Sequence, residues 1–222
     1  SLLLTTSPDG TEHLLGEGVP PERIAFVGNP MIDTLLANVA RFDPASVAGL
    51  HGLGDRYAVV TLHRPGNVDD PSTARAIVEP LLRIAAKIPL AIPLHPRGAE
   101  RLAALGLVDG SVGAGRIKIL PPLGYVEFLS LVRGAALVIT DSGGVQEETT
   151  MLKVPCLTMR PNTERPITIT SGTNRLIDPV GVERAVDDLL AGRVDFSSDP
   201  PPLWDGKAGE RIAAEIAARF GS

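Results

Sequence analysis

Short runs of consecutive apolar residues recur along the chain, each stopped by a glycine, proline or polar cluster and followed by a stretch with helical spacing. The runs predict strands over residues 2–6, 24–27, 57–62, 90–94, 117–120, 136–140, 156–159 and 174–177. Between them, helices are predicted over 10–17, closed by Gly18, over 31–42, where Ile32, Leu35, Leu36 and Val39 share a face, and over 70–88, where Ile77, Leu81, Leu82 and Ile84 do, with Pro80 as a kink. Further helices are expected over 99–105, 125–132, 144–152, 182–190 and 207–220. Residues 43–55, with Pro44 and three glycines, read as a loop or ragged helix, residues 106–115 as a glycine-rich loop, and 197–202 as a proline-rich linker. Strands that are apolar on both faces and alternate with helices call for a parallel sheet covered on each side, an α/β doubly wound domain.

Composition narrows the classes. A chain of 222 residues with 44% apolar content has ample material for a core. A net charge of -5 with interspersed signs leaves no basic stripe, and 4% aromatic residues leave little for base stacking, so nucleic acid is not an expected partner. Cys156, the single cysteine, sits in an apolar run and has no partner for an internal disulfide, which favours a reducing, cytoplasmic setting. No apolar run approaches the ~18 residues needed to span a bilayer, and no membrane insertion is expected. The first residues, SLLLTTSPDG, have no basic leader region. The chain opens in mid-architecture, and the expectation is that Ser1 is not where the gene product begins.

In open parallel sheets, ligands collect at the carboxyl ends of the strands. Those ends carry His63 and Arg64, His95 and Arg97, Ser142 to Gly144, and Arg160 with the segment PNTERP. Histidines, arginines and a glycine turn on one rim suit an anionic ligand such as a diphosphate. The stretch TDSGGVQEE, residues 140–148, is the most informative. It joins a strand end to a helix start through Gly143 and Gly144, which let backbone amides approach a ligand at the positive end of the helix dipole. A plainer reading stands beside it: Asp141 or Ser142 caps the helix and the glycines only permit a turn. Glu147 and Glu148 suit a helix start by charge alone, and Glu148, one turn in, is also placed to accept bonds from a ribose diol. Arg165 has the neighbouring Glu164 as a simple salt-bridge partner, and a histidine such as His63 at a strand end is often structural. There is no phosphate-binding GxxxxGK[ST] loop, no GxSxG elbow and no dinucleotide fingerprint, and four scattered histidines with one cysteine make no metal site.

Taken in order, GNPMIDTLL (28–36), TLHRPGN (61–67), PLHPRG (93–98), PPLGYVEFL (121–129), TDSGGVQEE (140–148), TERP (163–166) and SGTNRL (171–176) make the chain similar, nearly end to end, to the carboxyl-terminal half of the UDP-N-acetylglucosamine 2-epimerase family. The resemblance implies a Rossmann-like domain that forms one half of a two-domain GT-B fold and binds UDP and UDP-sugar without a cofactor. On it, Ser142, Gly143 and Gly144 match the diphosphate cradle, Glu148 the ribose ligand, and Tyr125 with Phe128 the uridine pocket. His63 and Arg165 match further phosphate or active-site contacts, His63 being the candidate catalytic residue here. Arg64 and His95 resemble residues of a second, allosteric nucleotide-sugar site. Residues 1–205 are then the UDP-binding domain, with 1–8 the end of a further domain or hinge, and 206–222 a terminal helix packing toward that domain. The resemblance also implies a homodimer in the full-length protein. The family's acid/base carboxylates lie in an amino-terminal domain that these residues do not include, so the chain alone is expected to be inactive. Two departures fall in one loop: Pro161-Asn162 follows Arg160, and Ile167-Thr168 follows TERP, where the family commonly has acids. A hydrolysing 2-epimerase, a GT-B glycosyltransferase donor domain and a catalytically silent nucleotide-sugar sensor are the alternatives.

Overall fold

The computed structural model describes residues 1–62, 71–106, 116–196 and 199–221, with the backbone alone at residues 71–73, 97, 101 and 102. The apolar runs of the centre of the chain pair as one six-stranded, all-parallel sheet: β3 (Ala58–Thr61), β4 (Leu90–Pro93), β5 (Ile117–Leu120), β6 (Leu137–Thr140), β7 (Cys156–Met159) and β8 (Asn174–Ile177). Their spatial order is β5-β4-β3-β6-β7-β8, so the chain winds outward one way from β3, returns, and winds outward the other way from β6. That is the doubly wound order, with its reversal between β3 and β6. The register sets Thr61 against Thr140 at the carboxyl ends of these two strands, where their hydroxyls are 2.7 Å apart.

The two-residue period of each strand feeds two cores. Ala58 and Val60, Leu90 and Ile92, and Leu137 and Ile139 face one side, where Ile77, Leu81 and Ile84 of α4 (Pro71–Ala85) and Val182 and Val186 of α9 (Val182–Leu190) cover them. Val59, Ala91 and Val138 face the other. There they meet α2 (Pro30–Asn38), α3 (Pro44–Leu50), α6 (Tyr125–Gly134) and α7 (Gly143–Leu152). Each large aliphatic side chain buried in this way stabilises the fold by roughly 1.5–3 kcal/mol, which is why the strands tolerate so few polar positions. The short α5 (Pro96–Ala104) follows β4, and α8 (Ile167–Thr170) interrupts the segment between β7 and β8.

Three elements differ from the sequence reading. In the segment read as a loop or ragged helix, the first half is a regular helix, α3: Asp43 accepts a bond from Ser46 N at 3.0 Å and Pro44 occupies the first turn, so a capped start outweighs the glycines. The single turn α8 had no periodic signal. The first two apolar runs, β1 (Leu3–Thr5) and β2 (Ile24–Phe26), pair with each other in a separate two-stranded parallel sheet, with α1 (Pro8–Gly16) between them.

That small unit is tied to the end of the chain. Trp204 donates its indole N–H to the carbonyl of Thr6 at 2.8 Å, and it packs with Ile32 and Ile167 in a third, smaller core. Gly28 has φ +87, and an added Cβ would stand 2.2 Å from the carbonyl oxygen of Leu203, so only glycine serves where β2 turns toward α2. The terminal helix α10 (Ala208–Phe220) starts on α2. Asp33 of α2 accepts bonds from Ala208 N at 3.1 Å and Gly209 N at 2.7 Å, capping a helix that begins 175 residues later. Arg219 reaches from α10 to the carbonyl of Glu22. Replacing Asp33 by alanine removes this cap and is expected to cost about 1 kcal/mol. Hydrogen exchange should show amides of α10 losing protection while those of β3 and β6 keep it; unchanged protection in α10 would remove Asp33 from this role.

Candidate functional site

The carboxyl end of β6 leads straight into α7 at the point where the sheet reverses. Ser142 stands at the N-cap position with extended backbone, yet its side chain makes no capping bond. Instead Ser142 N donates to Thr140 Oγ1 at 3.0 Å, which turns the chain into the helix with the Ser142 hydroxyl off the first-turn N–H groups. A Cβ on Gly143 would meet none of the described residues within 4 Å, so they leave the backbone there accessible. Beside it, α2 also begins, with Asn29 accepting from Met31 N at 3.0 Å, and a Cβ on Gly144 would come within 3.1 Å of the Met31 methyl. The two helix starts therefore lie side by side.

One turn into α7 lie three consecutive buried polar residues. Gln146 is fully buried and satisfied: its Nε2 donates to Ser142 O at 3.1 Å, and its Oε1 accepts from Thr163 Oγ1 at 2.6 Å and Asn174 Nδ2 at 3.0 Å. Asn174 continues the network, accepting from Thr158 Oγ1 and donating to Thr168 Oγ1. Glu147 is 2% exposed, with Arg165 Nε at 2.8 Å from its Oε1. The Arg165 N–H is not aimed along that line, so the contact is an ion pair rather than an aligned hydrogen bond. The Asn29 amide approaches the same carboxylate, again without an aligned N–H. Burial raises the Glu147 carboxyl above its ordinary range, and Arg165 and Asn29 work against that rise.

Glu148 is 7% exposed and is pushed up to about 7, first by burial and further by the adjacent charge of Glu147, with a hydrogen bond from Tyr125 opposing. Tyr125, the first residue of α6, is 40% exposed, and partial burial and Glu148 push its phenol up to about 12, so it stays a donor. Ser142, Gly143, Gly144, Glu148, Tyr125 and Arg165 are thus gathered around one helix start. Phe128 is on α6 too, half-buried against the core on that face. His95 is elsewhere on the rim, exposed at the end of β4, its carbonyl accepting from Gly98 and Ala99 at the start of α5. His63 and Arg64 lie outside the described residues.

The simple pairing of Arg165 with Glu164 is replaced by a crossed one. Arg160, 9% exposed, takes the Glu164 carboxylate with two bonds of 2.6 Å, and Arg165 keeps only the Glu164 carbonyl, at 3.0 Å to Nη1. Arg160 is held firmly charged, chiefly by Glu164 and further by Asp141. Asn29, Gln146, Glu147, Thr163 and Asn174 were missed as site-builders by sequence reasoning. All five sit inside the quoted sequence blocks, and only their spatial convergence gives them a role.

A family model described as UDP-N-acetylglucosamine 2-epimerase matches residues 1–217. The chain belongs to the UDP-N-acetylglucosamine 2-epimerase family. A UDP-N-acetylglucosamine 2-epimerase of Methanocaldococcus jannaschii is 38% identical over 220 residues, which cover 96% of this chain and 59% of that protein. A UDP-2,3-diacetamido-2,3-dideoxy-D-glucuronate 2-epimerase of Pseudomonas aeruginosa is 37% identical over 211 residues, 93% of this chain and 56% of that protein. The crystal structure of the M. jannaschii UDP-GlcNAc 2-epimerase in complex with UDP-GlcNAc and UDP matches with a TM-score of 0.84 at 36% identity, over 98% of this chain and 61% of that one. This member of the epimerase family therefore spans about three fifths of the length of the relatives it matches, and its fold is the expected α/β, Rossmann-like half of a GT-B arrangement. Among the described residues, no helix is long and apolar enough to cross a membrane.

A carboxyl that titrates near 7 in the folded chain but near 4.5 when unfolded keeps its proton in the native state over that interval. Its contribution to stability is therefore greatest below about pH 4.5, falls as pH rises, and levels off above about 7. Urea unfolding at pH 5 and pH 8 should show a loss of stability that shrinks by on the order of 3 kcal/mol in Glu148→Gln. Equal losses in the two proteins would contradict a proton-holding Glu148.

Proposed function

We propose that the chain is the nucleotide-binding part of a UDP-N-acetylglucosamine 2-epimerase that interconverts UDP-N-acetylglucosamine and UDP-N-acetylmannosamine within a longer protein. The observation that carries this reading is the glycine start of α7, which the Ser142 side chain does not cap, with a buried carboxylate one turn along it and an arginine beside it. The first-turn amides and the helix dipole receive the diphosphate, Glu148 takes the ribose diol, and Tyr125 borders the uridine. His63 and Arg165 are assigned to the phosphates and the reacting centre. Arg64 and His95 remain candidates for a second nucleotide-sugar site.

In this reading, UDP is eliminated from the sugar to give a 2-acetamidoglucal and added back with inversion at C2. The leaving group departs as an anion and must be kept in place for its return, a task for preorganised donors. Removal of the C2 proton needs a positioned base, which we assign to the further domain, together with the dimer contacts. The β1–β2 unit and α10, which expose Leu15, Ile216 and Phe220, supply a face for that domain. The cluster around α7 addresses the nucleotide and not the sugar ring. The P. aeruginosa relative, named for a different UDP-sugar, favours a second reading in which the substrate carries other ring substituents.

Isothermal titration should detect UDP binding by the 222-residue chain, weakened about ten- to a hundredfold by Glu148→Ala through loss of two charge-assisted hydrogen bonds. The chain alone should leave UDP-N-acetylglucosamine unconverted in product analysis. Unchanged affinity in Glu148→Ala would return the carboxylate to a purely structural role, and turnover by this chain would contradict the division of labour.

A further inference from the structure

Of the two adjacent acids on α7, the nucleotide-binding reading employs only Glu148. Glu147 is the more deeply buried, and a carboxylate at 2% exposure requires compensation. Two buried donors converge on it, Arg165 Nε at 2.8 Å and the Asn29 amide, neither with its N–H fully aligned. Arg165 itself is 41% exposed, and a long side chain in that setting samples many rotamers unless one edge is fastened. The carboxylate of its sequence neighbour, Glu164, takes two bonds from Arg160. Glu147 fastens Arg165 on the Nε side, and the Glu164 carbonyl holds Nη1. The backbone is fixed from the same helix: Arg165 N donates to Thr163 Oγ1 at 3.0 Å, and Thr163 donates in turn to Gln146.

Glu147 follows Gly143 by four residues, about one helical turn, so the guanidinium it anchors belongs beside the open first-turn amides. The charge balance matters as well. Two carboxylates one turn into an anion-binding helix oppose the anion, and pairing Glu147 with Arg165 neutralises one of them. We propose that Glu147 is a positioning residue for Arg165, fixing its guanidinium at the start of α7 where it meets the diphosphate of the bound nucleotide. The proposal rests on the nucleotide-binding reading and adds a residue and a task to it.

A merely structural Glu147 and a positioning Glu147 differ in which part of the ligand notices its loss. Glu147→Gln keeps the side chain's shape and removes the charge that holds Arg165. In calorimetric titrations of the 222-residue chain, UDP affinity should fall about tenfold, while uridine, measured by displacement of UDP, should change by less than about twofold. In an Arg165→Ala background, Glu147→Gln should weaken UDP binding no further, since the residue through which it acts is already gone. Equal losses for UDP and uridine, additive losses in the double variant, or UDP affinity equal to that of the unaltered chain would each overturn the proposal. Should Glu147→Gln fail to fold by circular dichroism, Glu147→Asp keeps the charge but withdraws it by one methylene. The same preferential loss of UDP binding is expected there, and its absence overturns the proposal. Loss of UDP binding in Glu148→Ala with none in Glu147→Gln rejects this inference alone; no UDP binding by the unaltered chain rejects it together with the reading beneath it.

Discussion

The first turn of α7 presents backbone N–H groups that the side chain at its N-cap, Ser142, does not take up, at the reversal point of a parallel sheet. Everything else in the site follows from keeping that helix start open and pointed at one place. Thr61 and Thr140 hold the ends of β3 and β6 together. Thr140 takes Ser142 N and so turns the chain without spending the Ser142 hydroxyl as a cap. Gly143 keeps the approach free of side chains. A forgone Ser142 cap costs about 1 kcal/mol, which is tolerable in a domain with two full cores.

Charge is the second constraint. Three consecutive polar residues, Gln146, Glu147 and Glu148, are buried one turn into α7. The molecule treats them differently. Gln146 is satisfied by neutral hydrogen bonds and ties together the segments around Thr163 and Asn174. Glu147 is matched by an arginine from the loop after β7. Glu148 accepts a hydrogen bond from the Tyr125 phenol and holds its proton up to about pH 7. Burial of that group costs stability above neutrality, where it must ionise.

The layered fold was legible because parallel strands buried on both faces leave apolar runs that stand out from amphipathic helices; six of the eight runs entered one sheet. β1 and β2 carry the same local pattern as the rest, and only long-range contacts such as Trp204 with Thr6 assign them to a separate unit. Helix α3 was obscured by glycine and proline, because composition speaks more loudly than one aspartate cap. In the site, the glycine turn and Glu148 were visible as a motif. The partner of Arg165 was not: along the chain Glu164 is adjacent, and Arg160 claims it only once the loop is folded. Ion pairing across elements is set by geometry, and a linear pattern offers nearest neighbours instead.

The most direct measurement is a crystal structure of the chain grown with UDP. The diphosphate should lie within hydrogen-bond reach of the amides of residues 143–145, with both ribose hydroxyls on Glu148 and the Arg165 guanidinium, still backed by Glu147, on a phosphate oxygen. A UDP molecule seated away from the start of α7, or a first turn closed by the Ser142 hydroxyl with UDP excluded, would contradict the central claim that this open helix start is a nucleotide cradle.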